Sequence, residues 1–97
     1  MMVLVTYDVN TESEGGKTRL RKVAKLCVNH GQRVQNSVFE CLINPAQFVE
    51  LKNSLSKVIE SDKDSLRFYL LGKNWEKRVE QMGKNNTYHP IDDPIII

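Results

Sequence analysis

A carboxylate at the end of an apolar segment is the first feature of this sequence with a chemical use. Residues 2–9 read MVLVTYDV, a β-branched run that leads into Tyr7 and Asp8, and such a run is typical of a buried strand. A strand holds its last residue firmly, so a carboxylate placed there can bind a metal ion or orient a water molecule. The alternative is that Asp8 opens the turn that follows, as Asp commonly does.

A stretch without acidic residues extends from Gly15 to Phe39, although the 97-residue chain has a net charge of only +2. Local positive charge of this kind can hold phosphate groups. An ordinary solvated helix face is the alternative for each basic residue taken singly. The six basic residues of the stretch are Lys17, Arg19, Arg21, Lys22, Lys25 and Arg33.

The other chemically capable residues form weaker patterns. Cys27 and Cys41 occupy apolar positions without the spacing of a zinc site, so we expect both to be small core residues. His30 and His89 could act as acid and base in a metal-independent ribonuclease, but we expect structural or incidental roles for them. Glu40 is an alternative second carboxylate, although it can equally face solvent from its strand.

Two helices are predicted between the strands. In residues 17–29 the apolar positions recur at helical spacing, and Gly31 follows as the expected C-terminal capping glycine. Asn44, Pro45 and Gln47 match an N-cap, a first-turn proline and a reciprocal capping partner, which predicts a second helix. Gly15 and the glycine after it indicate a flexible loop between Asp8 and the first helix, able to close over a bound nucleic-acid strand.

The remaining segments predict strands. Residues 33–43 are rich in Val, Phe and Ile, and their imperfect alternation indicates a bend or tight turn at Asn36 and Ser37. Residues 66–70 alternate as expected of a strand in the sheet interior. Arg78–Met82 predicts a weak edge strand, and the isoleucines that close the 83–97 tail predict a strand that pairs with a sheet edge, on this chain or on a dimer partner.

The order of these elements predicts an α+β fold with the ferredoxin-like split βαβ plan, an antiparallel sheet with two helices on one face, plus a C-terminal edge strand. Residues 1–82 form the predicted domain. No apolar run approaches the roughly 20 residues that cross a membrane, and the apparent absence of a signal peptide leads us to expect a cytoplasmic protein.

Two segments together resemble a known family. The first strand ends in Tyr7-Asp8-Val9, a basic helix carries Arg19 and Arg21, and residues 33–40 read RVQNSVFE. From Val3 to about residue 72 the sequence is similar to the small CRISPR-associated adaptation proteins, the second core member of that system.

The resemblance implies a site and partners. Asp8 would be the catalytic and metal-binding carboxylate, with Mg²⁺ as the cofactor and Mn²⁺ able to substitute. Members are similar in forming two-fold dimers that act on double-stranded DNA or RNA and that partner the CRISPR integrase when spacers are captured. Side chains that the resemblance places in nucleic-acid binding are Tyr7, Arg19, Arg21, Arg33, Ser37 and Phe39.

Three functions are compatible with these expectations. The first is a metal-dependent endonuclease of CRISPR immunity. The second is a non-catalytic dimeric scaffold that holds duplex DNA for the integrase, and the third is a toxin-like endoribonuclease that acts on messenger RNA. The endonuclease needs Asp8 for cleavage. The scaffold would bind DNA and form its complex without Asp8.

Overall fold

The computed structural model describes residues 1–83. Its elements follow the predicted order of strand, helix, strand pair, helix and strand. In chain order they are β1 (Met2–Asp8), α1 (Gly16–Val28), β2 (Gly31–Gln35), β3 (Val38–Leu42), α2 (Pro45–Ser56) and β4 (Ser65–Gly72), and a 3₁₀ turn at Trp75–Lys77 follows.

The strands form a four-stranded antiparallel sheet in the order β2-β3-β1-β4. Both helices contribute to one hydrophobic core with the inward-facing side chains of β1 and β3, so they cover the same face of the sheet. This arrangement is the ferredoxin-like plan, and the predicted fold class is confirmed. The predicted turn at Asn36 and Ser37 is also confirmed, since it separates β2 from β3.

Alternation along β1 decides which side chains enter the core. Val3, Val5 and Tyr7 point inward and are buried, whereas Asp8 is exposed. On the paired strand β3, Phe39 is likewise fully buried. Successive side chains of a strand point to opposite faces, so the packing that fixes Tyr7 inside also fixes the outward direction of Asp8.

The start of α2 is the predicted capping box. The Oδ1 atom of Asn44 accepts a hydrogen bond of 2.8 Å from the Gln47 backbone N–H. In return, the Gln47 side chain accepts one of 2.9 Å from the Asn44 backbone N–H. These two bonds satisfy donors that a helix start would otherwise leave without partners.

Gly15 and Gly16 are required by the backbone geometry at the start of α1. Gly15 has a φ of 79°, a left-handed conformation that side chains disfavour. A Cβ on Gly16 would lie 2.1 Å from the backbone oxygen of Asn10. The prediction of a flexible glycine loop is therefore replaced by a tight turn in which the loop folds back on α1.

Gly31 does not cap α1 in the left-handed conformation that the sequence pattern predicts. It is the first residue of β2 and has no positive φ. A Cβ at this position would lie 1.8 Å from the backbone oxygen of Glu40 on β3. The glycine is thus required by the close approach of two strands.

Two strand predictions need correction. β4 lies at the edge of the described sheet, not in its interior, because it pairs only with β1 among residues 1–83, and Leu70 is 58% exposed. Arg78–Met82 forms no strand. The 3₁₀ turn buries Trp75 and redirects the chain, while the Arg78 side chain donates a 3.0 Å hydrogen bond to the Leu71 carbonyl.

The prediction for the 83–97 tail lies outside the described residues from position 84 onward. Within residues 1–83, no helix has both the length and the apolar character needed to cross a membrane.

Candidate metal and nucleic-acid site

Asp8 is the last residue of β1 and stands opposite Ser65 of β4. Its side chain is exposed, on the side of the strand away from the buried Tyr7. In the part of the chain that the structure describes, no hydrogen bond or ion pair engages the Asp8 carboxylate. Both oxygens can therefore coordinate a cation from solvent.

One chain supplies few ligands around Asp8. Among residues 1–83 there is no group of three or more His, Cys, Asp or Glu side chains that could hold a metal ion. Mg²⁺ prefers oxygen ligands in octahedral geometry and retains several waters, so one carboxylate fits it chemically but is a small share of its coordination sphere. Waters, substrate phosphates or a second carboxylate would supply the remaining ligands.

Tyr7, which precedes Asp8, belongs to a buried polar cluster on the helix side of the sheet. Its hydroxyl donates a hydrogen bond of 2.5 Å to Oδ2 of Asp64. The Arg19 side chain donates to the same carboxylate twice, from Nε to Oδ2 at 2.7 Å and from Nη2 to Oδ1 at 3.2 Å. The Asp64 side chain is fully buried, so the paired Arg19 charge is what makes its burial tolerable.

Arg19 also holds the loop that follows Asp8. Its Nη1 donates a 3.0 Å hydrogen bond to the Glu14 carbonyl, and its Nη2 donates one of 2.9 Å to Oγ of Ser13. Glu60 adds a longer ion pair at 3.7 Å. The guanidinium group is thus saturated by contacts within the protein.

These contacts turn Tyr7 and Arg19 inward, and their roles in nucleic-acid binding stay a prediction. The two residues are only 2% and 7% exposed, and each directs its polar group to Asp64. A direct contact of either side chain with nucleic acid would require the cluster to open. In the described structure, both residues form a buried polar cluster with Asp64.

The pKa values of the cluster reflect its pairing. Burial raises the pKa of Asp64, but hydrogen bonds from Arg19 and Tyr7 outweigh that effect and hold it well below its usual range. Burial, together with the hydrogen bond to Asp64, raises the pKa of Tyr7 to about 12. The hydrogen bond to Asp64 raises the pKa of Arg19. At neutral pH the carboxylate and guanidinium are charged and the phenol is neutral.

Asp64 is the residue that sequence reasoning missed. It belongs to the polar turn of residues 61–64, where Asp is common and suggests no special function. The burial of its side chain follows from partners 45 and 57 positions earlier in the chain. No local pattern carries that information.

Arg33, Ser37 and Phe39 lie together on the β2–β3 hairpin. The Arg33 Nε donates a 2.7 Å hydrogen bond to the Asn36 carbonyl, and its guanidinium carbon lies 5.5 Å from the centre of the Phe39 ring. Ser37 is half-buried, and its carbonyl accepts a 2.9 Å hydrogen bond from the Tyr7 backbone N–H. The hairpin turn therefore adjoins the end of β1, but the Phe39 ring is in the core.

An open groove of about 480 Å³ lies along α1, and Arg33 of β2 lines it from the sheet side. It brings Arg21 and Arg33 together, whereas Arg19 points to the other side of the helix. The apolar floor consists of Leu20, Ala24 and Val28, and the basic groove residues are Lys17, Arg21, Lys25 and Arg33.

The predicted core role of the two cysteines is confirmed. Cys27 and Cys41 are fully buried free thiols, and the Cys41 thiol donates a 3.5 Å hydrogen bond to the Cys27 carbonyl. Their contact helps to pack α1 on β3. Neither is part of the candidate site.

A family model described as "CRISPR associated protein Cas2" matches residues 1–79. The chain belongs to the Cas2 family. This confirms the family resemblance that the YDV and RVQNSVFE segments indicated.

Cas2 relatives match over nearly the whole chain. The CRISPR-associated endonuclease Cas2 of Halalkalibacterium halodurans is 53% identical over 99% of this chain and 99% of its own length. The CRISPR-associated endoribonuclease Cas2 of Nitratidesulfovibrio vulgaris is 50% identical over 100% of this chain and 94% of its own. A crystal structure of Streptococcus pyogenes Cas2 has a TM-score of 0.79 and 66% identity, covering 86% of this chain and 100% of that one.

Proposed function

We propose that this Cas2 protein is a metal-dependent endonuclease that hydrolyses phosphodiester bonds in double-stranded DNA or RNA during CRISPR immunity. The observation that carries the proposal is Asp8, an exposed carboxylate at the end of a buried strand that makes no hydrogen bond or ion pair within residues 1–83. The names of the relatives support it, since they are called an endonuclease and an endoribonuclease.

The active form in this proposal is a homodimer. One described chain presents a single suitable carboxylate and no three-ligand group, whereas a two-fold axis beside β1 would bring two copies of Asp8 together. Two carboxylates and several waters satisfy the coordination that Mg²⁺ or Mn²⁺ requires. When bound, the metal would polarise the phosphate and make a water more acidic and more nucleophilic.

The basic groove residues would hold the nucleic-acid backbone. Lys17, Arg21, Lys25 and Arg33 line one side of the molecule around an open groove, and phosphate contacts of this kind fix position without reading sequence. The reaction adds water across the P–O bond, leaving a phosphate on one product and a hydroxyl on the other. Asp8 contributes a ligand in this scheme, and the groove contributes binding energy.

A second candidate function is a dimeric scaffold that holds duplex DNA for the CRISPR integrase during spacer acquisition. Within residues 1–83 Asp8 belongs to no three-ligand group and does not line the basic groove, and both facts favour it, because binding phosphates requires the groove but not Asp8. One dimer can perform both functions, cutting when alone and positioning DNA when in its complex. Either activity would take place in the cytoplasm, where CRISPR loci and invading nucleic acid meet.

The two functions make opposite demands on Asp8. We would compare purified wild type, Asp8→Ala and the matched control Asp62→Ala on double-stranded DNA and single-stranded RNA of identical sequence. Each reaction would be run with Mg²⁺, with Mn²⁺ and with chelator, and binding would be measured on the same samples. Asp62 is an exposed carboxylate in the turn before β4, so its loss controls for charge.

If the protein is an endonuclease, Asp8→Ala should lose at least about 100-fold in metal-dependent cutting and keep its affinity for nucleic acid. Asp62→Ala should match wild type. Equal residual cutting by wild type and Asp8→Ala would overturn the endonuclease and favour the scaffold. Exclusive cutting of RNA, combined with growth arrest on expression, would instead identify the toxin-like endoribonuclease.

A further inference from the structure

The Asp64 carboxylate is hydrogen-bonded to residues on both sides of Asp8. On the earlier side, Oδ2 accepts the Tyr7 hydroxyl at 2.5 Å. On the later side, Oδ1 accepts the Asn10 backbone N–H at 3.4 Å. Asp64 also immediately precedes Ser65, the residue that stands opposite Asp8 in the sheet. The buried Asp64 side chain therefore contacts the residues before and after Asp8. In sequence it adjoins Ser65, which pairs with Asp8 across the sheet.

The same carboxylate is connected through Arg19 to the loop that follows Asp8. Arg19 donates two hydrogen bonds to Asp64 and extends the connection to Ser13 and Glu14. Within the loop, Oδ1 of Asn10 accepts the Ser13 backbone N–H at 3.2 Å, and Oγ of Ser13 donates to the Asn10 carbonyl at 2.7 Å. The loop is thus closed on itself and anchored to Asp64 through Arg19.

The turn that carries Asp64 is itself held firmly. The Asp64 carboxylate accepts the Glu60 backbone N–H at 3.2 Å, and the Asp64 backbone N–H donates to the Glu60 carbonyl at 2.7 Å. A group that orients a metal ligand must itself be fixed by its surroundings. Asp64 meets this condition because it is fully buried and its hydrogen bonds come from three separate segments of the chain.

We propose that Asp64 is a positioning residue for Asp8, acting through Tyr7, Asn10 and Arg19 to hold the end of β1 and the following loop in the geometry that binds metal. This proposal rests on the proposed role of Asp8 as a metal ligand. It assigns to Tyr7 and Arg19 an indirect contribution to activity, through the backbone that carries Asp8. Asp64 itself does not contact the metal or the nucleic acid.

The test uses the whole 97-residue chain and Mn²⁺ as the probe. Mn²⁺ affinity would be measured by electron paramagnetic resonance for wild type, Asp8→Ala, Asp64→Asn, Tyr7→Phe and the matched control Asp62→Asn. The control makes the same chemical change in the same turn at an exposed position. Circular dichroism would confirm folding, and ¹⁵N relaxation without metal would report the order of residues 9–16.

We expect Asp64→Asn to bind Mn²⁺ at least about tenfold more weakly than wild type, which is the usual effect of removing a group that orients a metal ligand. Its cutting should recover at high metal concentration, because Asp8 is still present. Tyr7→Phe should weaken binding by a smaller factor, and both variants should show lower order in residues 9–16. Asp62→Asn should match wild type in every measurement.

A folded Asp64→Asn protein with wild-type Mn²⁺ affinity and loop order would overturn the positioning proposal. If Asp64→Asn does not fold, Tyr7→Phe decides, because it removes one hydrogen bond and leaves the ion pair; unchanged affinity and loop order would then overturn the proposal. Failure of the proposed function looks different. In that case wild type and Asp8→Ala would bind Mn²⁺ equally.

Discussion

The hydroxyl of Tyr7 donates a 2.5 Å hydrogen bond to the carboxylate of Asp64, which lies 57 positions later in the chain. The next residue, Asp8, points out of the opposite face of β1 into solvent. Tyr7 therefore anchors the end of β1 in the core, and Asp8 is exposed where a ligand can reach it. The proposed activity depends on both positions.

Replacement of Tyr7 by Phe should make the free energy of unfolding less dependent on pH in the alkaline range. The pKa of the Tyr7 hydroxyl is raised to about 12, so the folded protein retains a proton that an unfolded tyrosine releases near pH ~10. This contribution is complete below pH ~10 and disappears as the pH rises toward the folded value. Urea unfolding between pH 8 and 12, accompanied by tyrosinate absorbance, should show a shallower decline for Tyr7→Phe.

At neutral pH, Tyr7→Phe should lower the free energy of unfolding by about 1.5–3 kcal/mol, the usual range for a hydrogen bond to a charged group. Tyr69→Phe, which changes an exposed tyrosine on β4, is the matched control. Equal pH profiles for wild type and Tyr7→Phe would contradict the buried hydrogen bond.

Asp64 should make the protein sensitive to acid. Although burial raises the pKa of its carboxyl, the hydrogen bonds from Arg19 and Tyr7 depress it below the ordinary value. The resulting stability is complete above pH ~4 and is lost as the pH falls through the depressed value. In urea unfolding from pH 7 to 2, Asp64→Asn should lose this dependence while Asp62→Asn retains it.

The same variant should be much less stable at pH 7. Asn cannot balance the buried Arg19 charge, and breaking a buried ion pair from one side costs about 3–5 kcal/mol. An Asp64→Asn protein as stable as wild type at pH 7 would show that the ion pair is not maintained in solution.

Arg21 should contribute to nucleic-acid affinity through charge alone. It is exposed on the groove, so Arg21→Ala should change the free energy of unfolding by no more than about 0.5 kcal/mol. The slope of log affinity against log salt should fall by about one. Fluorescence anisotropy with duplex DNA at several salt concentrations measures both effects.

Lys57→Ala is the control for Arg21, because Lys57 is an exposed cation at the end of the other helix. Equal losses of affinity and salt slope for the two variants would show that the groove is not the binding surface.

Gly31→Ala should destabilise the β2–β3 pair. The new methyl group would lie 1.8 Å from the Glu40 backbone oxygen, so one strand must move. Overpacking of this kind costs about 1–3 kcal/mol or more, which corresponds to a drop of about 4–8 °C in Tm for each kcal/mol. Calorimetry should show this loss for Gly31→Ala and almost none for Asn53→Ala, an exposed position on α2. A Tm within a degree of wild type would contradict the close strand approach.

The sequence by itself determined β1, both helices and the capping box of α2. Apolar spacing located both helices, the residues at 44–47 fixed the capping box, and the run before Asp8 identified β1. All of these are local properties, because hydrogen bonds and side-chain periodicity within an element depend on residues only a few positions apart.

Only the tertiary structure decided which residues support the site and which face solvent. Arg19 and Arg21 are equivalent as basic residues on α1, yet a helix turns about 100° per residue and sends them in different directions. Arg19 meets Asp64, 45 positions later, whereas Arg21 reaches the groove beside Arg33. The edge position of β4, the strand approach at Gly31 and the burial of Asp64 likewise arise from contacts between distant segments, which no local pattern encodes.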